Sequence, residues 1–298
     1  MITPLCVVWY AGHREIQLLL RSISSFSIGC QDSFSVNVVG DGSLTLADKR
    51  AIEDIVSPNC VIFPKIEDNA RRRKDIFKQR PWLESHYNKS PLAKKIVDIP
   101  FLIDDSYLYI DSDVLFYRPF KGVDLRGADV DFAYMRDVRN AYSIQTSDLI
   151  RTVKKVPLVR HLNSGFFYLK SNDWIDFDLC EKIASQEQFQ RHLPHLEQGY
   201  WAALAAKKSG TSVCFNTRQI AFPKLDLTLP TECVANHFAG LYRPLVESYP
   251  AEASHPSSDD PISLKTHSST LVTPFQLISE GVVRSARRFV GLSDKNVL

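Results

Sequence analysis

Along the first third of the chain, apolar residues change their spacing in a regular rhythm. Leu5–Tyr10 is a short apolar run of strand formers, and it is followed by Glu15–Phe26, where Ile16, Leu19, Leu20 and Ile23 fall on one helical face. Ser35–Val39 predicts a second strand that ends in the turn cluster Gly40-Asp41-Gly42-Ser43. Leu46–Val56 then predicts a helix, with Thr45 as its N-cap. Cys60–Phe63 predicts a third strand. Ser90–Asp104 predicts a helix with Leu92, Ile96, Ile99 and Ile103 at helical spacing, and Tyr107–Ile110 the next strand. Strands alternating with helices in this way predict an α/β fold, a mostly parallel sheet covered on both faces.

Downstream the rhythm loosens. Asp131–Met135 and Gly165–Leu169 read as buried strands and Glu197–Ala206 as a helix. Ser254–Pro261 is a polar, proline-containing linker. Beyond it, Pro274–Leu292 predicts an amphipathic helix with Phe275, Ile278, Val282, Ala286 and Phe289 on one stripe and Arg284, Arg287 and Arg288 alongside. The expected organisation is therefore one catalytic-sized domain over residues 1–250 and a tail, linker plus helix, over 251–298.

Composition narrows the classes. The 298 residues are 44% hydrophobic and 23% charged, ordinary for a globular protein with an ample core. The 36 basic and 34 acidic side chains leave a net charge of +2, which argues against a dedicated nucleic-acid binder. A basic, aromatic stretch, Asp68–Tyr87, reads either as a solvated helix face or as an anion-binding edge. Six cysteines without a CxxC pair predict buried thiols in a reducing compartment. No signal-peptide pattern and no apolar run of membrane-spanning length is seen, so the expected location is the cytoplasm.

The sharpest chemical signal is Tyr107-Leu108-Tyr109-Ile110-Asp111-Ser112-Asp113-Val114-Leu115-Phe116. In an extended chain, residues two apart project to one side, so the two carboxylates would face one point at the end of an inner strand, where open α/β sheets bind ligands. Hard carboxylate oxygens suit Mg²⁺ or Mn²⁺, and such ions keep positions for substrate phosphates. A capping or turn-forming acidic pair is the plainer alternative. A phosphatase DxDxT/V motif is disfavoured by Leu115.

This segment resembles the metal-binding motif of the GT-A glycosyltransferases, family 8 above all, and further matching segments follow in the family's order. Ala93-Lys94-Lys95 is similar to an upstream alanine and arginine, with Lys94 at the arginine. Leu162–Lys170 with Trp174 resembles an asparagine-x-glycine strand. Glu197-Gln198-Gly199 resembles Asp-Gln-Asp, and Asn236–Pro244 resembles HFxGxxKP. The similarity covers roughly the first 245 residues. It implies a single Rossmann-like GT-A domain that transfers a sugar from a nucleoside diphosphate, as in a UDP-sugar, to a glycan or other hydroxyl acceptor.

The resemblance further implies Asp111, Asp113 and His237 as ligands of Mn²⁺ or Mg²⁺, with Lys94, Gly240 and Arg243 around the diphosphate. It places Asn163 on the donor sugar and Gln198 beside the anomeric carbon, as in retaining hexosyltransferases. Two departures stand out. Tyr10-Ala11-Gly12-His13 lacks the family's base-contacting acid, leaving Asp41 as a substitute, and Gly199 replaces an aspartate. A non-catalytic nucleotide- or glycan-binding module is thus a rival reading. A nucleotidyltransferase is a weaker one, for want of a glycine-rich phosphate loop. The C-terminal helix is expected either to pack on the domain or to touch an anionic membrane surface.

Overall fold

The computed structural model describes residues 3–56, 61–103, 106–142, 146–190, 196–249 and 260–289. The strands are β1 Leu5–Ala11, β2 Phe34–Gly40, β3 Val61–Ile62, β4 Tyr107–Ile110, β5 Val114–Phe116, β6 Phe120–Lys121, β7 Phe132–Arg136, β8 Leu162–Leu169, β9 Ser212–Phe215, β10 Ile220–Ala221, β11 Ala235–His237, β12 Ile262–Ser263 and β13 Thr266–Ser268. Eight of them form a central sheet in the order β13-β9-β7-β8-β4-β1-β2-β3. From β4 to β3 every pairing is parallel, as the alternation predicts. On the other side β4 pairs antiparallel with β8, and β8 with β7. The sheet is therefore mixed, and the N-terminal half carries its doubly wound character.

Alternation along each strand divides the core. Val7 and Trp9 of β1, Val36 and Val38 of β2 and Ile110 of β4 point to one face. There they meet Leu19, Ile23 and Phe26 of helix α1 (Ile16–Gly29). Val8, Val39, Tyr107 and Tyr109 point to the other face. On that face Trp201, from a buried helix over Leu196–Lys207, stacks on Phe132 with ring centroids 5.4 Å apart. Helix α2 (Leu46–Val56) begins where expected: the Asp48 amide donates to Thr45 Oγ1, and Thr45 returns two hydrogen bonds to the Asp48 carboxylate.

Two expectations are corrected, and one open between two readings is divided. Ser90–Asp104 is not one helix. A 3-10 turn, Pro91–Ala93, leads into two four-residue pieces, α5 (Lys94–Val97) and α6 (Ile99–Leu102), after the helices α3 (Ala70–Phe77) and α4 (Pro81–Lys89). Pro100 lacks the amide that a continuous helix would need. Secondly, the basic stretch divides: Arg73 and Arg80 pair with Asp98 and Asp178, while Arg71, Lys74 and Lys78 are exposed. Thirdly, the chain beyond residue 250 rejoins the domain. β13 extends the central sheet against β9, and β12 pairs with β6. Residues 254–259 of the polar linker lie outside the described residues.

The last helix (Pro274–Phe289) buries Leu277 in the core, while Glu280 binds Arg160 at 2.8 Å. Phe275, Ile278 and Val282 are exposed by 79%, 53% and 62%, so the apolar stripe faces away from the domain. Among the described residues no helix is long and apolar enough to cross a membrane.

Candidate active site

The acidic pair does not lie in extended chain. The Asp111 amide is held by the Gly165 carbonyl at 2.7 Å, and the Val114 amide returns to the Asp111 carbonyl at 3.1 Å, closing a turn between β4 and β5. That turn, rather than a period-two strand, brings the two carboxylates together. Its far side is fixed by two serines buried on α1. Ser22 donates to the Val114 carbonyl at 2.7 Å and accepts from Trp9 Nε1, and Ser25 accepts from the Phe116 amide.

His237 arrives from the neighbouring three-stranded sheet, where β11 runs antiparallel to β5 with His237 opposite Val114. Its Nε2 lies 3.1 Å from Asp113 and 3.6 Å from Asp111, and one ligand atom from each residue falls within 4.8 Å of the others. The imidazole stands directly on Gly165: a Cβ there would meet His237 Cε1 at 2.1 Å. Phe222 stacks on its other face at 5.4 Å. Asn163 Oδ1 accepts from His237 Nδ1 at 3.0 Å and from the Gly165 amide at 2.8 Å, and its amide group donates to Asp137. Asn163 thus holds the Nδ1 proton and aims Nε2 at the carboxylates.

Each carboxylate also has a protein cation. Lys95, fully buried, lies 2.8 Å from Asp111, which Tyr109 also reaches through its hydroxyl at 2.8 Å. Arg243 donates to Asp113 at 2.8 Å and to Glu15 at 3.1 Å. Burial alone would raise the Asp113 carboxyl, but His237 and Arg243 beside it hold it well below the usual carboxylate range. Burial works against charge on His237 and on Lys95, yet the adjoining Asp113 and Asp111 raise both above their ordinary values. Behind Lys95, Glu197 accepts from Ser164 at 2.7 Å and from Trp201 at 2.5 Å, and burial pushes its carboxyl up to about 7.

The donor set fits a hard divalent cation. It offers two carboxylates and one neutral-capable nitrogen, and adjacent ligands of an octahedral ion with bonds near 2.1 Å lie about 3 Å apart. Asp111, Asp113, His237 and Arg243 come together in the structure. Gly240, with φ of 57°, opens the 3-10 helix Gly240–Ser248 that presents Arg243. Gln198 stands in the helix over Leu196–Lys207, and its Oε1 is buried with no hydrogen-bond partner among the described residues.

Lys94 is placed elsewhere, its ammonium 5.1 Å above the Tyr87 ring. The lysine inside the site is Lys95, which sequence reasoning missed although it carried a signal. It sits three residues after Leu92 and four before Ile99, on the apolar stripe itself. Asp41 packs its carboxyl against Gly12, where a Cβ would meet it at 2.2 Å, and accepts from Ser43.

No family model matches the chain, and no curated protein matches it in sequence. Among solved structures, mouse xyloside xylosyltransferase 1 superposes over 74% of this chain and 87% of its own at 10% identity, with a TM-score of 0.49. The galactosyltransferase LgtC, in complex with donor and acceptor sugar analogs, superposes over 84% and 92% at 15% identity, also at 0.49. The mannosyltransferase Ktr4p from S. cerevisiae covers 71% of this chain and 68% of its own at 10% identity and reaches 0.51. At such identities a likeness speaks for architecture alone, and on the Ktr4p superposition this chain has the fold of the GT-A glycosyltransferases.

Proposed function

We propose that the protein is a glycosyltransferase of the family 8 kind that moves a hexose from a UDP-sugar to an acceptor hydroxyl with retention of configuration, using Mn²⁺ or Mg²⁺. One observation carries the reading: two carboxylates from a single turn and an imidazole from a different sheet meet at one point, at the end of the central strand β4. Asp111, Asp113 and His237 would hold the cation. When bound, that cation supplies Lewis-acid stabilisation of the charge that grows on the leaving diphosphate.

The chain's own residues do the rest. Lys95 and Tyr109 hold the Asp111 carboxylate in place, and Asn163 holds the imidazole. Arg243, half exposed and already paired with Asp113, adds positive charge where the diphosphate would lie. Gly240 lets the chain turn into the helix that carries it. Lys94 is the second basic group proposed for the donor, from the Tyr87 side. Gln198, its buried oxygen unpartnered among the described residues, is proposed to face the developing cation at the anomeric carbon.

Purified protein incubated with Mn²⁺ and a panel of sugar nucleotides, read by release of free nucleotide, tests the reading. Turnover on at least one donor, lost on chelation, is expected. Binding of UDP with Mn²⁺ but no turnover on any donor would favour the non-catalytic module. Gly199 keeps that rival alive, since it packs on Phe189 where the family has an acid.

The five described cysteines are free thiols, which supports placement in a reducing compartment, the cytoplasm. We also propose peripheral contact with an anionic membrane through Phe275, Ile278 and Val282. Truncation at 250 would remove β12 and β13 as well, so a triple serine substitution of these three residues is the better test. Unchanged binding to anionic vesicles would remove the membrane contact.

A further inference from the structure

A cavity of about 680 Å³ opens beside His237, with Phe222 in its lining. Its lining includes Arg136, Asp137, His161, Phe222, Lys224 and Asp226. Two of these tie it to the site described above: Phe222 stacks on His237, and Asp137 accepts from the same Asn163 that fixes the imidazole. The volume lies within the ~300–1,000 Å³ typical of small-molecule pockets.

Backbone strain gathers at this cavity. Among the described residues, two non-glycine positions have φ in the left-handed region, His161 at 58° and Leu227 at 60°. His161 lines the cavity, and Leu227 follows directly on Asp226. Such conformations cost roughly 1–3 kcal/mol each and collect at functional sites. His161 is held in place by Asn140, which accepts from its amide, and by the Asp137 amide, which donates to its carbonyl.

The charges on the wall are unbalanced in what they leave free. Among the described residues Arg136 has no acidic partner, Lys224 acts on Asp226 only through its charge, and neither side chain is engaged in a hydrogen bond. The acids are occupied. Asp226 accepts from the Thr228 amide at 3.0 Å and hydroxyl at 2.7 Å, closing its own turn. Asp137 is buried, accepts from Asn163 and the Arg139 amide, and is raised above the ordinary carboxylate range by that burial. His161 is pushed the other way, toward the neutral imidazole, by burial.

We infer that this cavity is the acceptor subsite and that it takes an anionic glycan, one whose phosphate or carboxylate is met by Arg136 and Lys224 while its hydroxyl faces the Phe222–His237 wall. The inference rests on the glycosyltransferase reading for the word acceptor, but the anion preference stands or falls on binding alone. A planar guanidinium matches either oxyanion with two parallel hydrogen bonds, and the lysine adds a point charge at the rim.

Methyl glucoside, methyl glucuronide and glucose 6-phosphate serve as neutral, carboxylate and phosphate probes, titrated calorimetrically into the full chain with and without saturating UDP and Mn²⁺. At least one charged probe should bind roughly ten- to hundredfold more tightly than the glucoside. The better of the two identifies the oxyanion. Arg136→Gln and the exposed Lys224→Gln should each reduce that preference while leaving UDP binding unchanged. Equal affinities, no binding of either charged probe, or a preference that survives both substitutions would overturn the inference. Charged-probe binding in a protein that turns over no sugar nucleotide would instead sink the proposed function and leave the anion site standing.

Discussion

The two sides of the His237 ring are built on opposite principles. On the carboxylate side every charge has a partner: Lys95 on Asp111, Arg243 and His237 on Asp113, Ser164 and Trp201 on Glu197. On the cavity side the cations are loosely held: among the described residues Arg136 has no acidic partner, and Lys224 reaches Asp226 only through its charge. A fully paired cluster is held in geometry before any ligand arrives, whereas unpaired cations gain most of their interactions from the ligand itself. The first arrangement suits a site whose chemistry depends on fixed positions, the second one whose task is selection.

Removing a ligand from the paired side should have the largest effect. Asp113→Ala leaves His237 and Arg243 facing each other without their shared carboxylate, and nucleotide release from the best donor should fall by about 10³-fold or more. An unchanged melting curve would show that the loss is chemical. Activity retained within tenfold would detach the acidic pair from the reaction.

Glu197 comes next. Its folded pKa of about 7 lies above the unfolded value of a glutamate, so between about pH 4.5 and 7 the folded state holds a proton that the unfolded chain has released. Stability should therefore decline as pH rises through that window, by about 3 kcal/mol at most, and stay level above it. Glu197→Gln should flatten this decline in denaturant titrations. A variant that keeps the full slope would place the proton elsewhere.

A smaller effect is expected at the contact between β8 and the ring. Gly165→Ala puts a methyl 2.1 Å from His237 Cε1, so the imidazole must shift. We expect donor turnover to drop by about 10- to 100-fold, with weaker activation by Mn²⁺. Smallest of all, Lys224→Gln should leave donor hydrolysis within about twofold of wild type, because it touches only the open side. A large loss there would mean that the two sides are not separate.

Much of this was legible before the fold was known, and the reasons are specific. β1, α1, β2 and α2 repeat apolar residues over seven or more positions, long enough for a period to show, and Thr45 announces its helix by a local cap. β12 and β13 are two and three residues long and largely polar, so no period exists to be read. The turn at Asp111–Val114 leaves no mark in the pattern, because the apolar residues continue on both sides of it. The family pattern points to Lys94, whereas the stripe Leu92, Ile96, Ile99 marks Lys95 as the inward lysine. The cavity was invisible because Arg136, His161, Phe222 and Lys224 are distant in sequence and meet only through β7, β8 and the segment after β10.

The seating of the imidazole on Gly165 has one more consequence. β8 is an interior strand whose pairing with β7 jumps from Asn163 to Phe167, and at that bulge Gly165 is pinned by the Asp111 amide on its carbonyl and by Asn163 on its amide, so a ring resting there has little room to retreat. A site with so stiff a floor would discriminate by ionic radius, favouring small six-coordinate ions over calcium, whose bonds are longer by about 0.3 Å or more. Calcium concentrations that saturate flexible oxygen-lined loops should leave this protein untouched.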